Sequence, residues 1–322
     1  MMYSYESYFA EDIINFIKQK NSVGFSYRYS KKILKNFDSF CMENFPNETQ
    51  LTKELCLAWA VKKDTENNNS FNNRLMPIRE FARFLNRIGC EAYIIPTRFV
   101  KKETARVPYI YSENEIESIW AYADNLPHYK NFPIRHFVIP TALRILYCCG
   151  LRPSEVRKLQ ISDVDLEKGH LFIRESKRHK SRTVILADDV TETCRKYTSM
   201  ASAYITNREY FFSNSTGGMY SKEWFDNTFK DIRNAVGIVG FQGCTPRLYD
   251  FRHTFATHRL YRWMKEGKNL NVMLPYLSAY MGHEQLSDTC YYIHLIPDMF
   301  EHMSGFDFST LEHLIPEVMY HE

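Results

Sequence analysis

Three short patches, far apart in a chain of 322 residues, carry side chains suited to a phosphodiester. The first is Cys149-Gly-Leu-Arg-Pro-Ser-Glu155. The second is Tyr249-Asp-Phe-Arg-His-Thr-Phe-Ala-Thr257. The third is Met281-Gly-His283, with Tyr292 nine residues beyond the histidine. Guanidiniums such as Arg152 and Arg252 are planar, always charged and able to donate two hydrogen bonds at once to phosphoryl oxygens. His283 offers a further donor, and Tyr292 a hydroxyl that can attack phosphorus. Singly, each patch has an ordinary explanation. An arginine near a helix start is a surface charge, a tyrosine in Cys290-Tyr291-Tyr292 is core, and a Gly-His pair is a turn.

Together the patches resemble the tyrosine recombinase (phage-integrase) family. Its hallmark is G-L-R-x-S-E, then H-x-x-R-H-T-x-A-T, then G-H with a tyrosine nine residues later. Gly150 to Glu155 fits the first box, Arg252 to Thr257 fits most of the second, and Gly282, His283 and Tyr292 fit the third. The stretch Ile173–Leu186 resembles the family's basic β-turn, in which a lysine follows the strand. Lys177 matches best, with Lys180 and Arg182 behind it. The likeness spans roughly residues 109–295. Two departures matter. Tyr249 stands where the family usually has His or Lys. Arg252 and His283 are 31 residues apart, more than in Xer-type members. A lengthened helical segment is therefore expected within Arg259–Leu274, as in recombinases of transposons and integrative elements.

The resemblance implies a site-specific DNA recombinase or integrase that cleaves and rejoins strands through a covalent 3′-phosphotyrosine on Tyr292. Arg152 and Arg252 would hold the non-bridging oxygens, whose negative charge spreads in the transition state. Glu155 would orient that pair, and His283 would donate a further bond. Lys177 would protonate the leaving oxygen as general acid. Tyr249, Glu155 and His253 are candidates for catalytic or phosphate contacts; Lys101, Lys102, Lys180 and Arg182 are candidates for DNA contacts. The phosphotyrosine keeps the bond energy, so a second hydroxyl reverses the step without ATP. With this cation array no metal and no other cofactor is expected. The implied partners are double-stranded DNA, a homotetramer on paired DNA sites, and partner recombinases. Two other readings compete: a catalytically impaired DNA-binding member of the fold, and a type IB topoisomerase. The G-L-R-x-S-E box and the small helical front domain favour the recombinase.

The elements that must position these residues are mainly α-helical, with one small antiparallel β-sheet. Helices are expected near Glu6–Lys20, Phe25–Asn44, Thr52–Lys63 and Phe71–Arg87, with Asn67 to Asn73 read as a loop. Residues 1–95 form a helical DNA-binding (core-binding) domain, 96–111 a linker, and 112–322 the catalytic domain with a C-terminal tail. Ser112 and Glu115 form a capping box that opens the second domain. Helices follow near Glu113–Asn125 and Phe132–Cys148. The period then changes to two over Asp163–Leu166, His170–Arg174 and Thr183–Ala187. Thr191–Tyr204 and Ser221–Val236 read as helices. Thr245-Pro246 reads as an N-cap with proline at the first helical position, so a helix should run from there past Trp263. Leu270–Met281 is a further helix, interrupted or restarted at Pro275. The tail after Asp307 sets Leu311, Leu314, Ile315, Val318 and Met319 near helical spacing, an apolar set suited to docking on a neighbouring protomer.

Bulk composition narrows the class. Hydrophobic residues make up 44% and charged residues 25%, which suits a folded globular protein and excludes a disordered one. Every apolar run is too short to span a bilayer, and the N-terminal acids Glu6, Glu11 and Asp12 do not suit a signal peptide. A cytoplasmic protein with no membrane partner is expected. The eight cysteines lack any C-x-x-C pair and read as reduced thiols. His253 and His258 are i, i+5, a poor spacing for a metal on one helix face. Residues 1–108 hold 17 Lys and Arg against 12 Asp and Glu, a basic balance that suits a DNA clamp.

Overall fold

The computed structural model describes residues 3–25, 27–101, 106–130, 132–174, 181–240 and 244–295. Lys102, Lys177, Lys180 and the apolar set from Leu311 to Met319 lie outside the described residues. The chain divides into two units, Met1–Ala105 and Arg106–Glu322, each with its own apolar core.

The first unit is built from α1 (Ala10–Ser22), α2 (Arg28–Asn44), α3 (Lys53–Trp59) and α4 (Asn68–Arg87). Phe16, Leu34, Phe37, Leu55, Leu75 and Phe81 meet in its core. Buried polar groups set the ends of these helices. The Asp38 carboxylate takes the Glu6 and Ser7 amides at 2.9 and 3.0 Å, so α1 starts at Ala10 instead of Glu6. Arg74 takes the carbonyls of Trp59 and Val61 at 2.6 and 2.8 Å, which stops α3 short of Lys63. The Asn67 side chain accepts the Ser70 amide at 2.8 Å, so the asparagine-rich stretch is a cap and first turn, not a loop. Arg79 pins the chain beyond α4 by donating to the carbonyls of Ile95 and Pro96 at 2.9 and 3.0 Å.

The second unit opens with the expected capping box: the Ser112 hydroxyl accepts the Glu115 amide, and Glu115 accepts the Ser112 amide. It continues through α5 (Glu113–Asp124), α6 (Arg135–Cys148) and the short α7 (Pro153–Lys158). Three strands follow, β1 (Val164–Asp165), β2 (His170–Ile173) and β3 (Arg182–Ile185), in one antiparallel sheet of order β1-β2-β3. Ile173 pairs with Arg182 at the end of the β2–β3 ladder. The remaining helices are α8 (Asp188–Tyr204), α9 (Lys222–Ala235), α10 (Asp250–Lys265), α11 (Leu270–Met281) and α12 (Ser287–Cys290). The fold is therefore mostly helical with one small antiparallel sheet. Helix α6 is apolar on nearly every side, from Val138 to Leu146, as befits a helix at the centre of a core; it packs against α5, α7, α8 and α10.

Helix α10 begins at Asp250, four residues beyond Pro246. A helix starting at Pro246 would need the Thr245 and Pro246 carbonyls for its first turn. Arg106 takes the first, and Arg233 takes the second at 2.8 Å. Asp250 instead closes a tight turn by accepting the Arg247 amide at 2.7 Å. Pro275 lies inside α11 without ending it. Among the described residues no helix is long and apolar enough to cross a membrane. All eight cysteines are free thiols.

Candidate active site

The three sequence patches converge in the second unit, and Arg252 is the pin that joins them. It lies in the first turn of α10, 1% exposed. Its Nη1 donates to the Gly150 carbonyl at 2.7 Å and its Nη2 to the Met281 carbonyl at 2.8 Å. Those carbonyls belong to the first and third patches, so one guanidinium fixes both relative to the second. Burial, and then the charge of Arg152, pull its proton affinity down. An arginine stays charged regardless.

Two glycines permit this approach. Gly150 has φ +59, and a Cβ there would sit 2.3 Å from Phe255 Cδ1 on α10. Gly282 caps α11 in the left-handed conformation, φ +66, and a Cβ there would sit 2.8 Å from Arg182 Nη1. The Gly of each box is therefore dictated by backbone conformation and contact.

Arg152 is the residue before α7, and Glu155 closes the turn by accepting both the Arg152 amide (2.9 Å) and its Nη1 (2.7 Å). Arg182, the first residue of β3, forks onto the same carboxylate at 3.0 and 2.9 Å. Burial alone would raise the Glu155 carboxyl; the Arg182 fork and both guanidinium charges hold it at about 2. A cleft of about 440 Å³ opens beside this cluster, bordered by Arg152, Arg182, Ser278, Gly282, His283 and Glu284.

His283 follows α11, and its Nδ1 lies 2.7 Å from the Thr289 hydroxyl on α12. If that nitrogen accepts the hydroxyl proton, the ring hydrogen sits on Nε2, the tautomer a phosphate donor needs. Burial first, then Arg252, Arg152 and Arg182, drive His283 down to about 3, so the ring is neutral near pH 7. Tyr292 stacks against it at 5.9 Å between ring centres and 19° between planes. The His253 ring lies 5.6 Å from that of Tyr292, tilted by 51°. Tyr292 is 3% exposed and its neighbour Tyr291 39%. Burial lifts the Tyr292 hydroxyl to about 12, while Arg252 and Arg152 pull the other way. Their charge favours the phenolate that attack on phosphorus would require.

The phage integrase family model matches residues 110–298, more than half of the chain. The chain belongs to the phage integrase family. A Sinorhizobium fredii protein named as the integrase/recombinase y4rB is 28% identical over 91% of this chain and 95% of its own length. The tyrosine recombinase XerC of Oceanobacillus iheyensis is 26% identical over 87% of this chain and 88% of its own. Among solved structures, the XerH site-specific recombinase bound to palindromic difH substrate aligns with TM-score 0.62 at 17% identity, over 84% of this chain and 76% of that one. The Tn1549 transposon integrase in complex with circular intermediate DNA aligns with TM-score 0.61 at 16% identity, over 86% and 93%. These two show a shared fold.

Within this integrase-family fold, Arg152, Glu155, Arg252, His253, His283 and Tyr292 lie near one another. Two expectations change. Glu155 does not orient Arg152 with Arg252; it holds Arg152 with Arg182, and backbone carbonyls hold Arg252. Arg182, expected to face DNA, has a side chain 9% exposed, and its Nε donates to the Tyr280 carbonyl at 2.8 Å. Tyr249 is the residue before α10, 37% exposed, its ring edge-on to His253 at 5.1 Å. His253 is half-buried, and its buried Nδ1 has no hydrogen-bond partner among the described residues; desolvation lowers it to about 4. Thr289 escaped sequence reading. A buried threonine six residues after a histidine carries no signal until α12 brings the two together. Lys101 is exposed in the first unit, beside Asn68, Asn72 and Arg83 of α4.

Proposed function

We propose that this chain is a site-specific DNA recombinase that breaks and rejoins strands through a covalent 3′-phosphotyrosine at Tyr292. The observation that carries this reading is the convergence of Arg152, Arg252 and His283 on Tyr292, from four separate elements of one fold. Arg152 borders the cleft, where it can fork onto the non-bridging oxygens of a scissile phosphate. Arg252 adds a second fixed positive charge, and a neutral His283 donates from Nε2. The Tyr292 hydroxyl releases its proton to water in the cleft and its oxygen bonds to phosphorus as the bond to the 5′ oxygen breaks. Lys177, outside the described residues, is assigned the proton that this leaving oxygen takes up. Preorganised charge of this kind stabilises a transition state without rearranging as it forms.

The finer assignments follow from the same reading. Residues 1–95 serve as the DNA-binding core-binding domain, and 112–322 as the catalytic domain. Lys101 and the polar α4 surface beside it form part of the DNA contact, supported by the basic balance of this half of the chain. The enzyme acts as a homotetramer on paired sites, with the apolar tail docked on a neighbour. The 31-residue separation of Arg252 and His283 supports the transposon and integrative-element branch.

The test uses supercoiled plasmids carrying one or two copies of the DNA that flanks this gene. Recombination confined to two-site plasmids, with protein trapped covalently on nicked site DNA, is expected. Relaxation of plasmids lacking any site would assign the chain to topoisomerase chemistry. Tight binding without a covalent complex would assign it to an inactive DNA-binding member.

A further inference from the structure

We propose that Arg182 is a positioning residue of this site: through Glu155 it fixes the guanidinium of Arg152. The proposal rests on the recombinase reading above and extends it to a side chain that does not itself touch the phosphate.

The Glu155 carboxylate receives four donors. Arg152 supplies its amide to Oε2 and its Nη1 to Oε1; Arg182 supplies Nη1 to Oε1 and Nη2 to Oε2. Such an arrangement leaves the carboxylate one orientation. Arg182 is held in turn from a third element. Its Nε donates to the Tyr280 carbonyl in the last turn of α11, and the bare Cα of Gly282 leaves room for the guanidinium. The chain of contact therefore runs from β3 and α11, through Arg182, to Glu155 and on to Arg152. By contrast, the Nη2 of Arg152 meets the Gly282 carbonyl only at 3.4 Å. Glu155 thus holds, through both the amide and Nη1 of Arg152, a side chain that borders the cleft.

Charge balance points the same way. A carboxylate paired with Arg152 alone would cancel the charge that Arg152 brings to a phosphate. With Arg182 on the same carboxylate, two cations share one anion and the cluster stays positive towards the cleft. Arg182 is also nine-tenths buried, which suits a strut and not a groove contact.

The experiment compares the wild type with Arg182→Lys, Arg182→Gln, Glu155→Gln and the double variant Arg182→Lys/Glu155→Gln. Single-turnover cleavage of nicked site DNA, site affinity and thermal melting are read for each. Lysine keeps the charge but cannot fork. Arg182→Lys should cleave about 10- to 100-fold more slowly, the scale of a catalytic group displaced by around an ångström, and bind the site within about threefold of wild type. Because Arg182 acts through Glu155, the double variant should be no slower than Glu155→Gln within about twofold. The deficit of Arg182→Lys should persist on a substrate with sulfur at the 5′ bridging position, whose leaving group needs no proton, since Arg152 serves the non-bridging oxygens. Three results overturn the proposal: wild-type cleavage in both Arg182 variants, losses that multiply in the double variant, or a deficit that vanishes with the sulfur leaving group. Loss of DNA binding and of a cooperative melt in step with cleavage would assign Arg182 to the fold and overturn it as well. A wild-type chain that forms no covalent complex would instead remove the recombinase reading on which the proposal rests.

Discussion

The two units bury charge for different ends. In the first, each buried charged side chain is tied off by hydrogen bonds to nearby helix ends and loops. Arg74 forks onto Glu66 and takes two carbonyls, Arg79 takes two carbonyls and the Asn72 side chain, and Asp38 accepts two amides and faces Lys35. These groups end helices and pin loops. In the second unit Arg152 and Arg182 share the Glu155 carboxylate and Arg252 is held by backbone carbonyls, with two neutral histidines and a buried tyrosine beside them. Like charges held together in a buried place are costly unless something anionic arrives. Charge tied off at helix ends and loops supports a fold; guanidiniums gathered beside a cleft and a buried tyrosine suit an anionic ligand.

Mutations can break that contrast. The largest effect is expected at Arg252. Lysine there retains charge but cannot reach the Gly150 and Met281 carbonyls together, so cleavage should fall by about 10²–10³-fold in single turnover. Arg74→Met should do the reverse. It removes a balanced structural ion pair and should lower stability by about 3 kcal/mol in denaturant titrations, the low end for a broken buried pair because Glu66 can rehydrate near the surface. Cleavage per folded molecule should be unchanged; a slower folded enzyme would mean that the contrast between the units is wrong.

Tyr249 sharpens the same distinction at a smaller scale. Where the family has His or Lys, the Tyr249 hydroxyl can donate to a phosphate oxygen. Its partial exposure places the cost of Tyr249→Phe near 2 kcal/mol of transition-state stabilisation, roughly thirtyfold in cleavage rate with affinity nearly unchanged. Tyr249→His should be tolerated or faster. A wild-type cleavage rate in the phenylalanine variant would show that the ring only packs on His253.

The mildest effect is on pH. His283 and His253 are pushed from an ordinary 6.5 to about 3 and about 4 in the folded chain. Below 6.5 the unfolded chain binds protons that the folded one does not. Stability from this source is therefore fully present above 6.5 and is lost as pH falls towards 4. Residues 1–105 contain no histidine. Hydrogen exchange should show the second unit loosening between pH 7 and 5 while the first changes little, and His283→Gln should flatten that slope. Equal loosening of both units would point to another group.

Much of the site was legible because its spacing is local to each box. The nine residues from His283 to Tyr292 are the length of one turn plus α12, and Ser112 with Glu115 announced α5 directly. What was not legible depends on contacts across the fold. The start of α10 moved because Arg106 and Arg233, distant in sequence, took the carbonyls a proline-led helix would have used. Arg182 looked like a groove contact because the sequence placed it in a basic hairpin; only the packing of β3 against α7 and α11 turns it inward, onto Glu155. The glycines of two boxes were visible as letters, but their cause, Phe255 behind Gly150 and Arg182 behind Gly282, was not.

The central claim is that Arg152, Arg252 and His283 serve Tyr292 as nucleophile. The direct test is to trap the full chain on nicked site DNA, digest the adduct and locate the modified residue by mass spectrometry. The account predicts a phosphodiester-linked nucleotide on Tyr292, none on Tyr291, and no adduct in Tyr292→Phe despite normal site binding. An adduct on Tyr291, or one that persists in the Tyr292→Phe protein, would contradict it.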